Sequence, residues 1–201
     1  MMTARDDALA RANGALPGAL GRRLSALRLF TVLAEHESIF PRWFALTEAL
    51  LRGSLPPRLR ELLILRTVWN CDCTYEWRNH LVIASHELGF GAPELIALTQ
   101  QNPSWPWPPI ESDIVAAADI LSVHTRLPVS ILSRLREQLN QSQVLEVFLV
   151  VAQYSMLSTI ATSFQVEFES VDDLVPAGVP TTCGSTEPSA ARGGASEGTR
   201  S

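Results

Sequence analysis

The sequence predicts an all-α fold, a single domain of about seven or eight helices, and three observations support this. The chain has 201 residues, of which 46% are hydrophobic, enough for one core. Apolar side chains recur at helical spacing in successive segments, and no alternating pattern predicts a strand. Prolines and glycines separate the segments where helices begin and end. We expect a domain over 17–170, a flexible N-terminus over 1–16, and a disordered tail over 171–201 that is rich in small and polar residues.

Proline positions and apolar periodicity give the order of the helices. The predicted helices span residues 17–34, 41–51, 57–70, 72–88, 93–99, 110–126, 128–140 and 142–168. The helix that begins at Pro57 is apolar on almost every side, so we expect it to be central and buried. Residues 102–109, NPSWPWPP, contain four prolines and predict a loop that packs back on the body.

Charge and cysteine content exclude several classes of partner. The net charge is −5 without a basic cluster, which argues against nucleic-acid binding. All basic residues are arginines, so a lysine Schiff base is excluded. Three cysteines, with Cys183 alone in the tail, suggest no disulfide framework and favour a reducing cytoplasm. The N-terminus resembles no secretory signal.

Two further features predict neither a membrane nor a metal site. The long apolar segment 144–164 is interrupted by polar residues, which favours a helix buried in protein. Cys71, Cys73, His80 and His86 would point to different faces of one helix, so they cannot converge on zinc. We therefore expect no metal and no membrane partner.

The chemistry-bearing residues are concentrated in residues 61–80, ELLILRTVWNCDCTYEWRNH. If residues 72–88 are helical, Cys73, Glu76 and His80 lie within about 60° of one face. Capping residue types around position 72 indicate that the chain stops and restarts there, which places Cys73 at a helix N-terminus, where a thiolate is favoured. These three side chains are predicted to line one wall.

The individual residues also have simpler interpretations. His80 is either a hydrogen-bonded core histidine or an acid–base group whose tautomer Glu76 holds. The Glu76–His80 pair is equally well an ordinary surface pair one helical turn apart. Glu61 is either a buried carboxylate with a raised pKa or a first-turn acid that complements its helix dipole. The sequence does not separate these alternatives.

Aromatic residues flank the same segment. Trp69, Cys73 and Trp77 recur at four-residue spacing, which is typical of a core and also suits an aromatic wall beside a thiol. We name Trp69, Tyr75 and Trp77 as candidate substrate-binding residues.

The segment LPPRLRELLILRTVWNCDCTYEWRNHLVIASHELGFGAPELIAL resembles the carboxymuconolactone decarboxylase and alkyl hydroperoxidase D superfamily. AAADILSVH and VLEVFLVVAQYSMLSTIA extend the resemblance, which covers residues 25–168, and the YEWxxH form is similar to one subgroup. The resemblance implies an alkyl hydroperoxidase D-like helical bundle that assembles as a homo-oligomer with sites near subunit contacts.

The match to the peroxidase branch is incomplete. Glu61, Cys73 and His80 keep the spacing of that branch, but Glu76 stands where its second cysteine would be. That cysteine would attack peroxide, so its replacement removes both a thiolate and a disulfide partner. Cys71 could pair with Cys73 only if the chain between them is not helical.

The decarboxylase branch, by resemblance, needs neither a thiol pair nor a cofactor. His80 would be the acid or base, Glu76 its orienting group, Glu61 a second proton carrier, and Cys73 a pocket-lining thiol. Arg66 and Arg78 are the nearest cations that could hold a substrate carboxylate, although neither shares the face of His80.

Three functions therefore remain. The first is a cofactor-independent enzyme that transfers protons on a small organic acid or lactone in decarboxylation, isomerisation or ring opening. The second is a thiol peroxidase that uses Cys73. The third is a non-catalytic binding or scaffold protein.

Overall fold

The computed structural model describes residues 3–23 and 26–184, and in these ranges it contains ten α-helices and no strand. The predicted all-α fold is confirmed. The helices are α1 Ala4–Gly14, α2 Gly18–Arg23, α3 Arg28–Ala34, α4 Phe40–Leu51, α5 Pro57–Asn70, α6 Thr74–Glu87, α7 Ala92–Ala97, α8 Pro109–Leu121, α9 Val129–Gln138 and α10 Gln141–Ser163.

Helix α5 is the centre of the domain, as its apolar sequence predicts. Nine of its residues are buried, and it packs against α6, α8 and α10. Burial on several sides explains why six of the ten residues from Leu59 to Val68 are apolar and do not keep to one face of the helix. The helix begins at Pro57, as expected for a residue with no amide hydrogen to leave unpaired.

The chain turns sharply between α5 and α6. Cys71 follows the last residue of α5, Asp72 has a left-handed φ of 51°, and Cys73 precedes the first residue of α6. Aspartate tolerates this conformation better than most non-glycine residues. The turn makes α6 run back along α5, and side chains of the two helices meet.

Residues 4–14 form helix α1, which differs from the flexible segment predicted over 1–16. Thr3 and Asp6 form a reciprocal cap at the start of α1. Ala8 and Ala12 are fully buried against Phe40 and Phe44. Because the buried residues of α1 are alanines, the helix has little apolar periodicity that the sequence could reveal.

The first part of the tail is also packed, although disorder was predicted from residue 171. A 3₁₀ helix spans Asp172–Leu174, and Val171 and Val179 are buried. The indole Nε1 of Trp77 donates a hydrogen bond to the carbonyl of Pro180 at 2.7 Å. Residues 185–201 lie outside the described residues.

Helix α10 is long and apolar enough to cross a membrane by length and composition alone. In the protein it packs against α4, α5, α6 and α8, and it carries nine buried residues. An asparagine cap at Asn140 defines its start. Its position favours the role of a core helix.

Candidate active site

A cavity of about 310 Å³ lies among α1–α6 and α10. Apolar side chains from the N-terminal helices form one side, including Leu20, Phe30 and Phe44. Ionisable and polar side chains form the other side, and they are Thr47, Arg60, Glu61, Glu76, Asn79, His80, Glu87 and Tyr154. The cavity thus combines an apolar wall with a compact polar one, as small-molecule sites commonly do.

The central contact of the polar wall joins α5 to α6. His80 Nδ1 lies 2.6 Å from Glu61 Oε1, and the two residues are 7% and 5% exposed. A buried carboxylate at this distance holds the imidazole in one orientation with its proton on Nδ1, and it stabilises the imidazolium. Glu61 is therefore a buried partner of His80, and it lies beyond the first turn of α5, so it is not the first-turn acid that the sequence also allowed.

Glu76 faces the other imidazole nitrogen. Its Oε2 lies 3.7 Å from His80 Nε2, which is too long for a hydrogen bond, and the residue is 5% exposed. Burial raises the pKa of Glu76 to about 7, with the negative charges of Glu169 and Glu61 adding to the effect and His80 opposing it. Glu76 can therefore gain or lose a proton near neutral pH.

Glu61 and Glu76 have exchanged the positions that the sequence-based prediction gave them relative to His80. Glu76 was expected to orient His80 and Glu61 to carry a second proton. In the structure Glu61 makes the short contact with the ring, and Glu76 lies 3.7 Å from the other ring nitrogen. Helical spacing places Glu76 near His80, but the pairing of α5 with α6 brings Glu61 closer.

His80 retains a proton more readily than an ordinary histidine. Burial disfavours its charged form, but the charge and hydrogen bond of Glu61, with the charge of Glu76, outweigh burial and raise the pKa. The ring of Tyr154 packs edge-on against the imidazole, with 5.0 Å between centroids. Burial and the two glutamates raise the pKa of Tyr154, which keeps its hydroxyl protonated.

Arg60 and Tyr154 are cavity residues that the sequence analysis missed. Arg60 is half-buried, and its Nη1 donates to the carbonyl of Leu50 at 3.1 Å. Among the residues that the structure describes, no carboxylate lies within ion-pair distance of this guanidinium. Its position next to Glu61 in the sequence did not indicate that it lines the same cavity, because adjacent helical residues ordinarily point in different directions.

The two arginines proposed from sequence lie elsewhere. Arg66 pairs with Asp119 and donates to the carbonyls of Leu98 and Gln100. Arg78 pairs with Asp172 and stacks on the ring of Phe168. Neither lines the cavity, so the predicted carboxylate-binding role does not fit their positions.

Cys73 and the three aromatic candidates also lie outside this cavity. Cys73 borders a separate hollow of about 250 Å³. The Tyr75 hydroxyl is bonded to Glu169 at 2.7 Å, and Trp77 packs edge-on against Trp69 with 4.9 Å between ring centroids. Their contacts are those of core and boundary residues. A substrate-binding role for them stays a prediction without support from the cavity.

The thiol of Cys73 is less acidic than its place at a helix N-terminus suggested. Burial raises its pKa, and the charge of Glu76 adds to this, while a hydrogen bond from the Glu76 backbone opposes it. The residue is 2% exposed. The helix N-terminus was expected to favour the thiolate of Cys73, but burial outweighs that effect and favours the neutral thiol.

Metal-ligating groups do not converge in the parts of the chain that the structure covers. Within residues 3–23 and 26–184, no three histidine, cysteine or acidic side chains are grouped so that they could hold an ion.

Comparison with known families gives one match. The model of the carboxymuconolactone decarboxylase family matches residues 38–119, which include Glu61, Cys73, Glu76 and His80. This match supports a relationship of the chain to the carboxymuconolactone decarboxylase and alkyl hydroperoxidase D superfamily. The all-helical domain around it agrees with an alkyl hydroperoxidase D-like bundle.

The family segment holds most of the polar wall but not the whole site. It runs from the turn before α4 nearly to the end of α8. Tyr154 on α10 and the apolar wall from α1 to α3 are contributed by residues outside it. No curated protein matches the chain significantly.

Proposed function

We propose that the protein is a cofactor-independent enzyme that transfers protons on a small organic acid or lactone. The observation that carries the proposal is the Glu61–His80–Glu76 arrangement. Glu61 Oε1 lies 2.6 Å from Nδ1 of His80. The other ring nitrogen, Nε2, lies 3.7 Å from the carboxylate of Glu76, whose pKa is about 7, and both groups line the cavity. A cavity of about 310 Å³ suits a small substrate.

The arrangement supports general acid–base chemistry. A substrate atom in the cavity, beside both His80 Nε2 and the Glu76 carboxylate, would contact both groups. In decarboxylation, the bond to the carboxylate breaks, its electron pair forms an enolate as carbon dioxide leaves, and His80 Nε2 donates a proton to the carbon. In isomerisation, Glu76 removes a proton from a carbon next to a carbonyl, and His80 protonates the new position.

Arg60 would bind a substrate carboxylate or a lactone carbonyl at the cavity wall. Its guanidinium is the cationic group on that wall, and it retains donors beyond the one bonded to Leu50. The Arg60→Met protein is therefore expected to show a KM about 10- to 100-fold higher with a smaller change in kcat. Steady-state kinetics with a panel of small carboxylated lactones would measure the split.

Two further variants give the Arg60 experiment its control. Arg60→Lys keeps the charge without the planar fork and should recover part of the affinity. Arg52→Met removes an exposed arginine that pairs with Glu48 outside the cavity, and its KM should stay unchanged. An unchanged KM in Arg60→Met would exclude the arginine from substrate binding.

Glu76 should set the acid limb of the pH profile. Its carboxylate form is lost as pH falls through about 7, whereas an ordinary glutamate would remain charged to about 4.5. His80, with its raised pKa, loses its proton at a pH higher than an ordinary histidine would. We expect a bell-shaped profile of kcat/KM against pH, with an acid limb near 7.

The Glu76→Gln protein tests this assignment. It should lose about 10²- to 10⁴-fold in kcat, and the remaining activity should lack the acid limb. Glu48→Gln neutralises a carboxylate on α4 outside the cavity and should leave the profile as it is. A Glu76→Gln enzyme that is fully active and keeps an acid limb near 7 would contradict the proposal.

A thiol peroxidase that uses Cys73 is less well supported. Cys73 does not line the cavity that holds His80, its thiol pKa is raised, and Glu76 occupies the position of the second cysteine. A non-catalytic binding protein would place packing groups around the cavity, whereas this wall carries a buried histidine beside two buried carboxylates, which favours chemistry over packing.

Self-association stays a prediction. Exposed apolar side chains on α4 and α10, among them Leu46, Leu145 and Leu149, supply surface that a second copy of the chain would cover. The same proposal places the enzyme in the cytoplasm, where its cysteines would be reduced.

A further inference from the structure

The cavity that holds His80 has a mouth and an inner end. The side chains of α5 and α6 that line it recur at helical spacing, so each helix presents one face to it. They include Pro57, Glu61 and Ile64 on α5, and Glu76, His80 and Glu87 on α6. Pro57 and Glu87 are exposed, whereas Ile64 is 1% and Glu76 5% exposed. Because α6 runs back along α5, Pro57 and Glu87 mark the mouth, and Ile64 and Glu76 mark the inner end.

The charges along this face leave one place for an anion. Arg60 is the one arginine among the described residues that line the cavity, and the chain has no lysine. The imidazole of His80, which can also be positive, is already paired with Glu61 at 2.6 Å. Glu76 and Glu87 line the cavity on either side of this pair along α6. One carboxylate can therefore pair with Arg60, but a second one would meet carboxylates of like charge.

The side of the cavity that α1 to α4 form offers no partner for a second polar group. Thr47 is the one polar side chain that these helices contribute to the lining. Its hydroxyl donates to the carbonyl of Trp43 at 3.1 Å and accepts from Gln153 Nε2 at 2.7 Å. Leu20 and Phe44, by contrast, are 2% and 1% exposed. A carboxylate placed against this side would lose its hydration without gaining a donor, whereas a hydrocarbon group would be buried favourably.

We propose that the cavity takes a small acid or lactone acid with a single carboxylate, held by Arg60, and an alkyl or aryl body that packs on the side formed by α1 to α4. This inference rests on the proposed acid–base function, whose substrate class it specifies. Dicarboxylic acids of the same length are rejected, because the lining supplies no second unpaired cation. The volume of about 310 Å³ lies at the lower end of the range of ligand sites, which keeps the hydrocarbon body small.

Binding of three matched acids to the full-length protein tests the proposal. Adipate is hexanoate with a second carboxylate at its far end, and butyrate is hexanoate shortened by two methylenes. Each methylene that is buried should tighten binding about fourfold, so hexanoate should bind about 10-fold more tightly than butyrate. Adipate should bind about 10-fold or more weakly than hexanoate. Isothermal titration calorimetry at neutral pH would measure the three dissociation constants.

Two variants on α4 test the cause of the discrimination. Leu51 is 40% exposed and lines the cavity, so Leu51→Arg adds a cation there with little risk to the core. It should narrow the difference between hexanoate and adipate about 3- to 5-fold. Leu46 is 48% exposed on the same helix and does not line the cavity, so Leu46→Arg should leave the difference unchanged. If Leu51→Arg and Leu46→Arg have the same effect, the missing second cation is not the cause.

The outcomes separate this inference from the acid–base function. Adipate binding as tightly as hexanoate, or butyrate as tightly as hexanoate, would overturn the inference and leave the mechanism at His80 untouched. Absence of binding by all three acids would overturn it as well. Selective binding of hexanoate by a protein that turns over no acid or lactone would uphold the inference and overturn the acid–base function. The His80→Gln protein should keep the wild-type order of the three affinities, because the order depends on Arg60 and the apolar side.

Discussion

Substitution of His80 by glutamine is expected to lower kcat/KM by about 10²- to 10⁴-fold. Glutamine can still meet Glu61 with its amide, but it cannot carry a proton between the substrate and the wall of the cavity. Because His80 is 7% exposed and bonded at 2.6 Å to Glu61, folding must be verified by thermal melting before activity is compared. Turnover of carboxylated lactones is the measurement.

Glu61→Gln separates orientation from proton transfer. It keeps an oxygen that can accept from Nδ1 but removes the charge that favours the imidazolium, so an intermediate loss of activity is expected. His86→Gln is the matched control, because His86 lies on the same helix outside the cavity. A His80→Gln protein with wild-type turnover would contradict the acid–base mechanism.

The second large effect is on stability. Arg66→Met is expected to lower the free energy of unfolding by about 3 kcal/mol, because it leaves the buried carbonyl of Leu98 unpaired and removes the ion pair with Asp119. Arg66 is 3% exposed and donates to Asp119 at 2.5 Å and to the carbonyls of Leu98 and Gln100 at 2.5 and 2.8 Å. Urea denaturation followed by fluorescence would measure the loss.

The Arg60→Met protein is the counterpart of Arg66→Met. Arg60 is half-buried at the cavity and bonds one carbonyl, so its loss should cost about 1 kcal/mol or less in stability while raising KM. Arg66→Met should lose more stability than Arg60→Met and leave KM unchanged, because Arg66 does not line the cavity. A loss below about 1 kcal/mol in Arg66→Met would show that Arg66 does not hold the segment 98–101 in place.

The strongest sequence-based predictions concerned helices and their ends. Pro57 was expected to begin the central helix and does so, because the proline ring favours the first helical position without any tertiary partner. The proline-rich residues 102–108 are irregular for the same local reason. Helix α10 was expected to end near Phe168, but it ends at Ser163 and the chain turns at Gln165, whose φ is 50°.

Predictions about order at the chain ends were weaker. Helix α1 buries alanines, and the tail is held by Trp77 and two valines. Such contacts lie between segments far apart in sequence. Composition describes what a segment contributes by itself, so it could not show that another part of the chain would hold these residues.

For the candidate site, the sequence determined the residue types and their local spacing. It placed Glu76 one helical turn before His80, and Glu61 and Cys73 in the same short stretch. Only the tertiary structure decided which of them meet. The left-handed turn at Asp72 folds α6 back on α5, which brings Glu61 to His80 and leaves Cys73 outside the cavity that Arg60 lines. These contacts depend on how helices pack, and helical spacing alone does not contain that information.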